Sequence, residues 1–66
     1  MSDWKTRLYA EYDDVKKRLA KLEIFLATHY FWELDDEDRR DLCAQVEVMR
    51  QYFLILWRRK VRAQSE

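Results

Sequence analysis

Among the residues of this 66-residue chain that can do chemistry, one grouping suits a ligand: arginine and lysine interleaved with aromatic rings. Lys5, Arg7, Arg58, Arg59, Lys60 and Arg62 stand among Trp4, Tyr9, Tyr12, Tyr52 and Trp57. Guanidinium groups grip phosphate oxygens in pairs, and aromatic faces stack on bases. Trp4, Arg7, Tyr12, Tyr52, Trp57, Arg58, Arg59 and Lys60 are therefore the candidate binding set for a small nucleotide. The same mixture suits a protein surface. It equally suits a core whose open end is capped by Trp4 and Trp57, with the basic heads hydrated beside them.

Bond-breaking chemistry finds less support. Catalysis needs a nucleophile, a base and an orienting group together, and neither Cys43 nor His29 has a companion at usable spacing. A single cysteine makes no internal disulfide, and one histidine with one distant cysteine builds no four-ligand zinc site. Cys43 follows a seam position and is expected to pack as a small apolar residue; His29 is expected to pack or cap in a bend. The acids Asp35, Asp36, Glu37, Asp38 and Asp41 lack the glycine-containing loop of a calcium hand. No metal, no cofactor and no enzymatic activity is expected.

The elements that must position these residues are helices. The chain has no glycine and no proline, which argues against tight hairpin turns and phosphate-cradling loops that need positive φ. Leu8, Tyr12, Val15, Leu19, Leu22 and Leu26 recur at steps of four and three, the mark of a heptad seam on one helical face. Leu42, Val46, Met49, Phe53 and Leu56 repeat the pattern. The spacing predicts a first helix over about 3–28, capped by Ser2 or Asp3, a bend over 29–35 plugged by aromatics, and a second helix over about 36–62 with a frayed end. Asp35, with Asp38 three residues on, has the form of a helix cap, and acids at one helix end with bases at the other complement the helix dipole. The whole is one all-α domain over 1–66, an antiparallel helical hairpin.

The hairpin leaves apolar side chains without a partner. Gln45, Val48, Tyr52 and Ile55 form a second spaced row on the second helix, and Ile24 lies outside the seam of the first. A dimer or tetramer of hairpins buries such a row, so a homo-oligomeric bundle with Gln45, Val48, Tyr52, Ile55 and Ile24 at its interface is expected. Chains this short usually add a staple to a core worth only ~3–5 kcal/mol, and self-association is the staple left to this one.

Lysine plus arginine equal aspartate plus glutamate, 13 each, and this balance excludes a general binder of long nucleic acid. The first residues, MSDWKTR, carry no apolar signal stretch, and no segment reads as a membrane span. The expected location is the cytoplasm.

Trp4, Arg7, Glu11, Leu19, Leu22, Phe25, Leu26, Phe31, Leu34, Asp38, Arg39, Leu42, Gln45, Met49, Tyr52, Leu56 and Arg59 together resemble short two-helix proteins of tailed bacteriophages, crAss-phage-related members among them. The resemblance covers most of the chain, and Trp4, Arg7, Gln45, Tyr52 and Arg59 are its more specific elements. It implies a phage-encoded protein acting in the host cytoplasm, of a size that often serves to counter host defence. Some phage helical hairpins assemble into oligomeric sponges for cyclic nucleotide immune signals, which is a likeness of architecture; the Gly-Tyr-Arg element of the better-known sponges is missing here. The expected function is sequestration, without cleavage, of a small anionic signal such as a cyclic dinucleotide. The alternative is a protein-protein interaction module that binds and inhibits or adapts a host protein through the Val48, Tyr52 and Ile55 row.

Overall fold

A computed structural model describes residues 3–65. The chain forms α1 (Asp3–Leu26), α2 (His29–Glu33) and α3 (Asp36–Ser65), and no strand occurs among the described residues. The long helices α1 and α3 pack antiparallel as a hairpin, a rod of 48 × 15 × 15 Å. Among the described residues no helix is long and apolar enough to cross a membrane.

The two seams meet as their spacing predicts. Leu8, Tyr12 and Val15 of α1 pack with Leu56 and Ala63 of α3, and Leu19 and Val46 are buried as well, Val46 and Leu56 each only 1% exposed. Tyr12 stacks on Phe53, ring centroids 5.0 Å apart. Toward the bend the seam thins, and Leu22, Leu26 and Leu42 are only partly buried. An ion pair crosses the helices: Arg50 Nε donates to Glu23 Oε2 at 2.9 Å, and Glu47 stands 3.6 Å from the same guanidinium.

The reversal, expected as a bend over 29–35 plugged by aromatics, contains a short helix. α1 stops at Leu26, where Ala27 N–H and Thr28 N–H donate to Ile24 O and Phe25 O, both at 3.0 Å, and Thr28 Oγ1 donates to Phe25 O at 2.7 Å. The chain then inserts one short helix, α2, between two extended residues, Thr28 (φ −96°, ψ 161°) and Leu34 (φ −71°, ψ 153°). No described residue takes positive φ, which is why the turn is made without glycine. Phe31 alone plugs the bend; Tyr30 and Trp32 point outward, Trp32 at 70% exposure.

Asp35 caps α3 as its spacing predicts, its Oδ1 accepting from Asp38 N–H at 2.8 Å. The expected cap at Ser2 lies outside the described residues. α3 runs to Ser65, beyond the expected stop, because Ala63 is buried in the core between the helices and holds the last turn down. Cys43 corrects another expectation: it is exposed, since it lies one residue around from Leu42 and clear of the partner helix. His29 is also exposed, its ring 4.1 Å from that of Tyr30.

Candidate ligand-binding groove

The open end of the rod is where the first and last turns meet, and it does collect basic and aromatic residues. They point in different directions. Side chains advance about 100° per residue around a helix, so neighbours along the rod axis are not neighbours around it. Lys60 lies over the hairpin seam, Nζ 4.2 Å from the Tyr12 ring and 5.9 Å from that of Tyr9. Tyr12 itself is buried, its ring engaged by Phe53 and Lys60. Trp4 and Trp57 are exposed, with Lys5 Nζ 5.6 Å from the Trp4 ring. Arg58 and Arg59 are exposed as well.

Arg7 and Tyr52 are brought together. They line a groove of about 830 Å³ between α1 and α3, built from Arg7, Glu11, Asp14, Val15 and Arg18 on one side and Gln45, Met49 and Tyr52 on the other. This is the size range of small-molecule sites. A narrower stretch of about 300 Å³ prolongs it toward the bend, sharing Arg18, Gln45 and Met49 and adding Lys21. The remaining expected site residues, Trp4, Tyr12, Trp57, Arg58, Arg59 and Lys60, lie outside its lining.

Sequence reasoning missed most of this lining although the signal was there. Arg7, Glu11, Asp14, Arg18 and Lys21 recur at steps of four and three, a polar row flanking the apolar seam of α1. Met49 and the stem of Tyr52 floor the opposite side because they sit at the edge of the seam of α3.

The charges in the groove are mixed and differently committed. Arg18 Nε donates to Asp14 Oδ2 at 3.2 Å, and a second nitrogen of the guanidinium joins the same oxygen. That hydrogen bond, followed by the charge of Asp14, raises Arg18 above the ordinary arginine value. The bond from Arg50 to Glu23 does the same for Arg50. Both guanidiniums keep their charge at every working pH. Arg7 has no ion-pair partner among the described residues. The groove therefore offers the Arg7 guanidinium, unpaired among the described residues, the Glu11 carboxylate, the Arg18–Asp14 ion pair, an amide and an exposed aromatic ring. Neither Cys43 nor His29 lines it, and it carries no serine or threonine. No cluster of metal-ligating side chains occurs among the described residues.

Near the bend, a different residue proves structural. Arg39 Nη1 donates to Trp32 O at 3.2 Å and to Leu34 O, while Nη2 pairs with Asp36 and the guanidinium lies 5.4 Å from the Trp32 ring.

The fold and groove define a small helical hairpin equipped for binding, with its polar side chains displayed along a cleft between two helices. The Sequestin family model matches residues 2–62, and the chain belongs to that family. The family name points to the sequestration of a ligand or partner, a binding role. No curated protein and no solved structure matches the chain.

Proposed function

We propose that this protein is a phage anti-defence protein that sequesters a small anionic immune signal, such as a cyclic dinucleotide, in the groove without cleaving it. It acts in the host cytoplasm. The observation that carries this reading is the placement of Arg7 and Tyr52 on the two sides of one cleft. Arg7 holds phosphate, and its charge is not spent on another side chain among the described residues. Tyr52 stacks on a base. Glu11, Asp14 and Gln45 face the hydroxyls and amino edges that a nucleotide carries besides its phosphates. No serine, threonine, cysteine or histidine lines the groove.

Thermal unfolding with a panel of cyclic di- and trinucleotides tests it. A ligand at about 100 times its Kd stabilises the fold by ~2.7 kcal/mol. For a domain of this size each kcal/mol moves Tm by roughly 4–8 °C. Arg7→Ala removes a charged hydrogen bond worth about 1.5–3 kcal/mol, so affinity should fall roughly 10- to 150-fold. Recovery of intact ligand after heating excludes cleavage. An unshifted melting curve with every compound would overturn this reading in favour of a module that docks on a host protein through the exposed Val48, Tyr52 and Ile55.

A further inference from the structure

Beside its buried seam, α3 carries a second heptad row on a different face. Its centre is Gln45, Val48, Tyr52 and Ile55; the same steps of three and four reach Asp41 and Asp38 before it and Arg59 and Arg62 after it. Every one of these residues is exposed in the hairpin, Val48 at 67%. The four charged members have no ion-pair partner among the described residues. The row is thus an apolar centre of Val48, Tyr52 and Ile55, flanked by the amide of Gln45, with an acidic start and a basic end.

We infer that this row is the contact surface for a second copy of the chain, lying antiparallel in one register. Antiparallel helices pack such rows in layers that join a three-step position of one copy to a four-step position of the other. In the register that sets Val48 against the partner's Tyr52, Gln45 meets the partner's Ile55. Asp41 then meets the partner's Arg59, and Asp38 meets the partner's Arg62. Two-fold symmetry repeats each layer. All four acids and all four bases of the pair find opposite charges, and the apolar side chains fill the middle.

Neighbouring arrangements lose this match. A shift of one heptad in one direction sets Asp41 against the partner's Tyr52 and Asp38 against the partner's Ile55. A shift in the other direction buries Arg59 against the partner's Val48. A parallel pair stacks Asp41 on Asp41 and Arg59 on Arg59, and like charges in facing layers select against it. The charge pattern therefore specifies orientation and register, which an apolar row alone does not.

Cross-linking reads the geometry directly. In a Cys43→Ser background, Gln45→Cys and Ile55→Cys chains are made separately, oxidised alone or mixed, and run on a non-reducing gel. A disulfide needs Cα atoms about 4.4–6.8 Å apart. In the inferred register each cysteine lies ten positions from its own copy in the partner, about 15 Å along the axis at 1.5 Å per residue. Each variant alone should stay uncross-linked, and the mixture should give a linked dimer. A variant that links to itself would overturn the antiparallel arrangement. A mixture that fails to link would overturn the register. Sedimentation equilibrium supplies the second readout: Asp41→Arg alone should raise the dimer Kd at least tenfold, and adding an equal amount of Arg59→Asp should restore the mass of two chains. A wild-type mass of one chain at high micromolar concentration would overturn self-contact and leave the row to a host protein. Gln45 also lines the groove, so the charge swap at Asp41 and Arg59, both outside its lining, is the arm that separates failure of the pairing from failure of the nucleotide reading.

Discussion

Arg39→Ala isolates the device that turns the chain. In the wild type this one guanidinium bridges the carbonyl oxygens of Trp32 and Leu34, pairs with Asp36 and lies against the Trp32 ring. It ties the end of α2 to the start of α3, where backbone carbonyls otherwise lack intrahelical donors. Hydrogen bonds from a charged donor are worth about 1.5–3 kcal/mol when protected. Here the Trp32 carbonyl is exposed and water replaces part of the bond. The Asp36 carboxylate is 81% exposed, which reduces that pair to the ~0–1 kcal/mol of surface ion pairs. The contact with the exposed Trp32 ring adds about 0.5–1 kcal/mol. The expected loss is therefore about 1–2 kcal/mol, or roughly 5–15 °C in Tm for a chain of this length. The assay is thermal unfolding followed by circular dichroism, with Arg40→Ala as control because Arg40 is exposed and makes none of these bonds. Arg39→Lys should recover about half, since a single ammonium cannot span two carbonyls and a carboxylate with a planar fork. Equal melting points for Arg39→Ala and Arg40→Ala would refute the bridging role.

The core and the cap give two further expectations. Leu56→Ala removes one of the most completely buried side chains, at a cost of about 2–5 kcal/mol; against the ~3–5 kcal/mol a core of this size supplies, urea titration should find the hairpin largely unfolded. Asp35→Ala deletes the acceptor for Asp38 N–H and should lower stability by about 1 kcal/mol, with Asp35→Asn recovering most of it in the same titration.

The hairpin was legible because its signal is redundant: two rows of matched length, both stepping by three and four, have few other ways to bury each other. The turn was less legible. Without glycine or proline the sequence offers no turn residue, and the solution, one helical turn between two extended residues, is set by Phe31 finding the core and Arg39 reaching back across the reversal. Three aromatics in the bend look alike in sequence, yet only Phe31 is buried, because a five-residue helix presents one face inward. The expected ligand set grouped residues by their end of the rod. Arg7 and Tyr52 share a face, whereas Lys60 lies over the seam with Tyr12 beneath it, a distinction that periodicity around each helix carries and position along the chain does not.

Groove and outward row are not independent surfaces, since Gln45 and Tyr52 belong to both. A second copy seated on the row would stand at the open lip of the groove and enclose what a lone hairpin leaves to water. Enclosure matters more here than contact number, because Glu11 and Asp14 oppose an anion in the same cleft that Arg7 attracts, and salt screens an exposed guanidinium as readily as it screens them. Withdrawing water from one lip would strengthen a bond from Arg7 to phosphate, with Asp14 held by Arg18 and Glu11 left to take donor groups of the ligand. By linkage, a ligand held at that lip tightens the pairing by the same factor that pairing tightens the ligand. A chain too short to build a deep pocket alone would thereby gain one from its own copy, and its affinity would rise with its concentration.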